Sequence, residues 1–405
     1  MRRLLRLDGR VLAGTAVIVF FAVLLSFRAA AGSTPWATVG VAPGKLSFVD
    51  LRSVTSAWDC ARRGVEAFPQ NPCDPFGRPA NYPRIWMSFW RLGLGEGDTV
   101  AIGIAIGVVF YAAALGVAGP LTLGEGAVYA AALLAPATLL GVERGNVDLL
   151  MFALVALGVL LLRRTPWAAA VPIVAAGVLK LFPAAAVGVF GRVRSRWLAG
   201  AVSVAVLLAY GLATLSDIRT LRSVIPREVV NSYGAGVIPL ALHESNVSWA
   251  QSAASLRYLR LGLIAIGLVV AAALFAARRM GDARDDLRLD AFWAGAAVYA
   301  ASWVFGNNFD YRLAFLVLCV PQLCAWTRER SSPVGGAPLA LAALLLTLWL
   351  SSPVPPLPFG AQTWYEHLRI PPEEVLNLLL FGWLVAAVAA TAPAVALRRL
   401  AWRSA

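Results

Sequence analysis

Of the chain's 405 residues, 59% are hydrophobic and only 14% charged. That is too little charge to cover so much apolar sequence in water, which excludes an ordinary soluble protein and makes lipid the solvent for much of the surface. The net charge of +13 does not mark a nucleic-acid binder. The basic residues fall in short loops between apolar runs, at Arg163–Arg164, Arg192/Arg194/Arg196, Arg278–Arg279, Arg328/Arg330 and Arg398–Arg399/Arg403, as in the cytoplasmic loops of a membrane protein.

The chain opens Met1-Arg-Arg-Leu-Leu-Arg6, with Arg10 before an apolar run from Val11 to Phe27. This run is longer than the apolar segment of a signal peptide, and no small-x-small site closes it, so it reads as a retained first helix that starts in the cytoplasm. A span needs roughly 20 apolar residues. Stretches of that kind lie near 11–30, 98–118, 125–141, 147–163, 197–215, 256–277, 288–305, 312–327, 337–351 and 374–396. Between 166 and 190 the apolar sequence is split by Lys180-Leu-Phe-Pro183, with arginines on both flanks. Two short helices entering and leaving on the cytoplasmic side would satisfy those flanks, with Pro183 helping to break the helix at the tip.

The expectation is an all-α polytopic membrane protein, a single domain over 1–405 with about ten spanning helices plus the short hairpin. Both termini are then cytoplasmic, and residues 31–97, 142–146, 216–255, 306–311 and 352–373 face outward. Of these, 31–97 and 216–255 are the main extracytoplasmic loops. Lys is nearly absent beside Arg, and Ala, Val, Leu and Gly dominate, a composition that suits a bacterial plasma membrane. Cys60 and Cys73 lie in the first outer loop, a compartment that permits a disulfide, although two free thiols there also fit the sequence. No cysteine pair has the context of a metal site, since the only histidines are His243 and His367.

Outside the basic loops the polar residues gather at the outward ends of the helices. The first loop carries Asp50 in Phe48-Val-Asp-Leu51, then Asp59, then Asn71-Pro-Cys-Asp-Pro-Phe-Gly-Arg-Pro-Ala-Asn-Tyr-Pro-Arg84. The next turns are Glu143-Arg-Gly-Asn-Val-Asp148 and the hairpin tip at Lys180. Tyr233, His243, Glu244 and Asn246 follow in the 216–255 loop, and Asn307-Asn-Phe-Asp-Tyr-Arg312 after it. Ionisable groups at this depth are retained for function or for internal pairing. A carboxylate can take a proton from a hydroxyl nucleophile. Arg and Lys can hold a phosphate, and Asn, Tyr and aromatic groups suit sugars. The set suits moving a sugar from a phosphate leaving group to an alcohol. Each residue also has a plainer use: Asp50 or Asp59 as a helix cap, Glu143 and Arg144 as a pair with Asp148 or Arg312, and Lys180 as a snorkelling tip.

Four of these stretches give the chain a resemblance to the GT-C glycosyltransferases of glycosyltransferase family 87, which include polyprenyl-phosphate-mannose-dependent alpha-mannosyltransferases. They are Asp50-Leu51 in a long loop reaching Asn81-Tyr-Pro83, Glu143-Arg-Gly-Asn146, Leu179-Lys-Leu-Phe-Pro183, and Asn308-Phe-Asp-Tyr-Arg312. The resemblance implies an extracytoplasmic carboxylate as general base, which Asp50 matches. It also implies a polyprenyl-phosphate-linked sugar donor, a glycolipid or glycan acceptor, inversion at the sugar carbon, and no cofactor or firm need for a metal. On this reading Arg144, Lys180 and Arg312 contact the donor phosphate. Asp59, Tyr82, Arg84, Glu143, Asn146, His243, Glu244, Asn308 and Asp310 shape the substrate pocket. Tyr82-Pro-Arg84 departs from the Tyr-Pro-Pro common in that family. The rival expectation is a membrane transporter or lipid flippase, for which broken helices would also serve.

Overall fold

A computed structural model describes residues 8–31, 35–278, 287–351 and 359–393, with side chains from 370 onward in the last stretch. Arg279, Arg398, Arg399 and Arg403, residues 352–358 of the last outer loop and the end of the 374–396 span lie outside the described residues. The described chain is mostly helical. Its helices are α1 (Gly9–Ala31), α2 (Val49–Arg62), α3 (Thr99–Val117), α4 (Leu123–Leu133), α5 (Pro136–Arg144), α6 (Asp148–Leu161), α7 (Pro166–Leu179) and α8 (Trp197–Ala213). After these come α9 (Leu215–Val224), α10 (Val237–Glu244), α11 (Ala253–Ala276), α12 (Leu287–Phe305), α13 (Val320–Glu329), α14 (Ala337–Leu350) and α15 (Phe359–Ala390). The all-α expectation holds apart from one small ladder, in which β1 (Ser232–Tyr233) pairs antiparallel with β2 (Asn308–Phe309).

The count of ten spans is not reached among the described residues. Five helices are long and apolar enough to cross a membrane: α1, α3 with the turn before it, α8, α11 and the second part of α15. A sixth is gained if α4 and α5, which meet at 50°, form one broken span. The other expected spans fall short for visible reasons. Helices α6 and α14 have 14 residues each, about 21 Å of helix against a hydrocarbon core of about 30 Å. The stretch 312–327 divides into a 3-10 segment, Asp310–Cys319, and then α13. Helix α12 has 19 residues but carries Arg288 and Asp290 in its first turn, which lowers its hydropathy. Lipid-facing surface is plain elsewhere, as at Ile18, Val171, Leu198, Leu212 and Val269, each about 70% exposed.

Local chemistry sets the breaks. Thr122 and Glu125 form a reciprocal capping box at the start of α4. Thr165 caps α7, whose first residue is Pro166. Lys180 is extended and ends that helix, and Phe182–Arg192 continues as a 3-10 helix with Pro183 in its first turn. The hairpin read from the sequence is therefore present as a helix and a tighter 3-10 return. At the opposite end of the bundle from the long loops, Arg192 and Arg196 are buried against Asp290. Glu125 pairs with Arg288 and Arg328. Several arginines read as loop charges therefore pin helix ends together, and a buried charge of this kind is tolerated because it is paired.

Candidate active site

The site is assembled where four chain turns meet. The α5–α6 junction is one of them. Helix α5 ends at Gly145, whose φ of 59° lies in the left-handed region, and a Cβ there would come within 2.8 Å of the Phe48 Cβ and 2.9 Å of its ring. Glycine alone meets both demands. Phe48 is itself left-handed, with φ 56°, and it starts α2 without a side-chain cap. Packing of Phe48 against Gly145 and Gly103 seats the first turn of α2, and with it Asp50, directly over the Glu143–Asp148 turn.

Asn146 joins the two. It is fully buried. Its Nδ2 donates to Oδ2 of Asp50 at 2.8 Å, and its Oδ1 accepts from the backbone N–H of Asp148 at 2.9 Å. The second bond fixes which way the amide faces, so the donor is aimed at Asp50. Asp148, 1% exposed, receives an ion pair from Lys180 on one oxygen and Arg312 Nε at 3.2 Å on the other. The Lys180 ammonium also lies 4.7 Å from the centre of the Tyr82 ring, and the Arg312 guanidinium 4.8 Å from that of Phe182. Arg312 donates to Asn308 Oδ1 as well. Two cations thus share one buried carboxylate, which leaves a net positive charge beside Asp50.

Asp50 is half-buried in α2, in the segment between α1 and α3. Burial pushes its carboxyl above the ordinary carboxylate range. The nearby charge of Arg144, the hydrogen bond from Asn146, and the charges of Arg78 and Lys180 pull it back. Burial raises Tyr82 far above the usual phenol value, and Asp50 and Asp148 add to the effect, so Tyr82 remains a neutral hydroxyl. Tyr82 and Trp86 pack edge to face, and Trp86 donates to the Leu179 carbonyl at 2.8 Å. These contacts tie the first loop to the hairpin tip.

The other expected residues divide. Arg144 stands with Asp50 rather than with the Lys180–Arg312 pair: it contacts Glu143 at 3.2 Å and the Ala42 carbonyl, while Glu143 accepts from Gly44 N–H at 2.7 Å. Glu143 and Arg144 therefore hold the strand of loop that leads into α2. Asn308 positions Arg312, and the N–H of the buried Asp310 donates to the Asn231 carbonyl. Asp59 lies nine residues along α2 from Asp50, about 13 Å of helix rise. It accepts from Glu96 N–H and pairs with Arg62, so it is a brace for the turn before α3. Arg84 pairs with Glu66 and Asp217 and stacks on Phe68. It lines a cavity of about 300 Å³ with Pro83, Ile85, Leu181, Tyr210 and Leu221, one residue beyond Tyr82 and Lys180 on either strand. His243 and Glu244 end α10, where the contacts of His243 are with Ala250 and Gln251. These contacts of His243 do not involve Asp50. Cys60 and Cys73 are joined by a disulfide with Cα atoms 5.8 Å apart.

Three residues escaped the sequence reading. Arg78 and Asp74, in the stretch already singled out, form a clasp on α2. Glu228, whose N–H donates to Asn307 Oδ1 at 3.1 Å, lies within electrostatic reach of Asp50 and Arg144. Burial raises its carboxyl, as does the charge of Asp50, while Arg144 lowers it. Among the described residues no three His, Cys, Asp or Glu side chains converge as a metal site.

A helical membrane bundle with a carboxylate beside paired cations has the make-up of a membrane glycosyltransferase. The comparisons bear on that class directly: the family model of glycosyltransferase family 87 matches residues 89–305, and the chain belongs to that family. The matched stretch holds Arg144, Asn146, Asp148 and Lys180, with Asp50 and Arg312 flanking it. No curated protein and no solved structure matches the chain. Neither the fold nor the family favours the transporter reading.

Proposed function

We propose that the chain is a GT-C-type enzyme that transfers a hexose, with mannose the first candidate, from a polyprenyl-phosphate donor to an acceptor hydroxyl, with inversion. The reaction takes place on the extracytoplasmic face of a bacterial plasma membrane, with both termini in the cytoplasm. The acceptor is a glycolipid or glycan. The observation that carries the reading is the junction of Asp50, Asn146 and Asp148 with Lys180 and Arg312.

The chemistry follows from that junction. Asp50 removes the proton of the acceptor hydroxyl as its oxygen bonds to the anomeric carbon. A carboxylate drawn upward by burial is a better base near neutrality than an ordinary one. Asn146 keeps the reacting oxygen of Asp50 oriented. On the opposite side of the sugar the bond from the anomeric carbon to the phosphate oxygen breaks, and polyprenyl phosphate departs with an added negative charge. Lys180 and Arg312, already facing one carboxylate, turn part of their hydrogen-bonding capacity to that phosphate, stabilising charge where it develops. The proton on Asp50 returns to solvent. The cavity lined by Arg84 and Leu181, one residue along the chain from Lys180, is the proposed place for the first isoprene units of the donor.

The test is incubation of the purified protein with a panel of polyprenyl-phosphate sugars and a soluble alkyl glycoside, with mass spectrometry of the products. Transfer or slow hydrolysis of one polyprenyl-phosphate sugar is the expected result. Turnover of nucleotide sugars alone would refute it.

A further inference from the structure

The position of Asp50 depends on the first turn of α2, and that turn lacks the usual means of support. Its N-cap is Phe48 in a left-handed conformation with no side-chain cap, an arrangement that needs help from outside the helix. Residues 71–78 supply it. They run back along α2 and fasten to it at three levels. Cys73 is bridged to Cys60 near the helix end. Asn71 Nδ2 donates to the Ser53 carbonyl at 3.0 Å and to Ser56 Oγ at 3.1 Å in the middle. Arg78 Nη2 donates to the carbonyl of Val49, the residue before Asp50, at 2.8 Å.

The guanidinium that makes this last bond is itself held. Asp74, whose side chain is fully buried, takes Arg78 Nε at 3.2 Å on one oxygen and Nη2 at 2.8 Å on the other. Asp74 Oδ1 also accepts from the N–H groups of Phe76 and Arg78. A bidentate fork of this kind fixes both position and orientation. About a third of the Arg78 side chain is exposed. Its charge therefore stands at the edge of the site without touching the Asp50 carboxylate.

We propose that Arg78, clamped by Asp74, is a positioning residue for Asp50, setting the first turn of α2 through Val49 and holding a positive charge beside the carboxylate. The functional weight of this rests on Asp50 being the base. The other groups that face Asp50 are Arg144 and Asn146 from the α5–α6 turn, Lys180 from the hairpin tip, Glu143, Glu228, Tyr82 and Tyr311. Among the cations, Arg78 is the one on the loop bridged to α2, so its charge is fixed to the element that carries Asp50.

The test follows the protonation of Asp50 directly. The full chain in nanodiscs is titrated by infrared difference spectroscopy, and the carboxyl band lost in Asp50→Asn is assigned to Asp50. Transfer from polyprenyl-phosphate mannose to an alkyl glycoside is measured on the same samples. Arg78→Gln removes the charge and should move the midpoint upward by about one pH unit, which is about tenfold less carboxylate below it. The acid limb of the transfer rate should move with it. Arg78→Lys keeps the charge and should hold the midpoint near that of the parent, while the rate falls because the fork to Val49 and Asp74 is lost. Asp74→Asn removes a negative charge in the same place and should move the midpoint downward, so it decides the matter even where Arg78→Gln does not fold. Midpoints unchanged in Arg78→Gln and Asp74→Asn, or displaced upward in Asp74→Asn, would overturn the proposal. Should the midpoints move as described while Asp50→Asn still transfers sugar at the parent rate, the electrostatic link stands and the assignment of Asp50 as base falls.

Discussion

Asn146 reaches Asp50 with its amide nitrogen and Asp148 with its amide oxygen, so one buried side chain sets the spacing between the carboxylate and the cation pair. Asn146→Ala should leave Asp50 with one fewer partner and lower the transfer rate at every pH, with the acid limb moved upward because a bond that favours the charged form is gone. Loss of a buried hydrogen-bonding group also costs about 1–3 kcal/mol of stability. Asn146→Asp should be worse than Asn146→Ala, since it sets a second negative charge against Asp50. A rate profile identical to the parent in both variants would remove Asn146 from the site.

Asp50→Asn should lose about 10²–10⁴-fold in transfer while still binding donor, whereas Asp59→Asn should stay active, because Asp59 braces Glu96 and Arg62. The sign of the stability change is also fixed. A carboxyl whose folded pKa is raised binds its proton more tightly in the folded state, so its effect on stability worsens as pH rises through that value. Asp50→Asn should therefore melt at the same or a higher temperature than the parent at neutral pH. Activity and thermal melting on the two variants check both halves. An active Asp50→Asn with a dead Asp59→Asn would reverse the assignment.

Lys180→Met and Arg312→Met should each weaken donor binding, and each leaves Asp148 with a single cation. Because Asp148 keeps one counterion, the loss of stability should be well below the about 3–5 kcal/mol of a buried pair broken outright. Adding Asp148→Asn to Lys180→Met leaves Arg312 without its buried carboxylate, so the double variant should be less stable than Lys180→Met and should recover none of the lost transfer. Donor affinity, rate and melting temperature separate these effects. Recovery of transfer in the double variant would mean that Lys180 serves Asp148 and not the phosphate.

Cys60→Ser with Cys73→Ser should lower stability by roughly 3 kcal/mol, the chain-entropy value for a loop of about 14 residues. The transfer rate should fall as well, because the bridge anchors the segment that ends in Arg78. Intact-mass analysis with and without reductant, together with rates, tests both. Two alkylatable thiols in the unreduced protein would show that the bridge does not form.

For the orientation, a cysteine replacing the exposed Ser245 should react with an impermeant thiol reagent from outside, and one replacing the exposed Arg164 should not. The native Cys319 and Cys324 are buried and should give little background. The reverse labelling pattern would place the site on the cytoplasmic side.

Apolar run length made the helical membrane architecture readable from the sequence, and the interruption at Lys180–Pro183 betrayed the hairpin. The count of spans was not readable, because a run of apolar residues does not show where its helix breaks, as at Asp310–Cys319 and between α4 and α5. Asp50, Asn146, Lys180 and Arg312 were legible because each stands in a short polar island at a helix end. Arg78 and Asp74 were not, since their importance comes from a backbone carbonyl at Val49, which carries no side-chain signature. His243, near the end of α10, bonds to Ala250 and Gln251, contacts that its place in the sequence does not announce.

The two-residue ladder of Ser232–Tyr233 with Asn308–Phe309 makes one mechanical piece of two segments distant in sequence. Glu228 and Asn307 exchange hydrogen bonds at one edge of it, and Asp310 holds Asn231 at the other. Arg312 follows three residues beyond the last paired position. A displacement of residues 226–233 is therefore transmitted to the backbone that carries Arg312, and with it to the ion pair that Arg312 makes with Asp148.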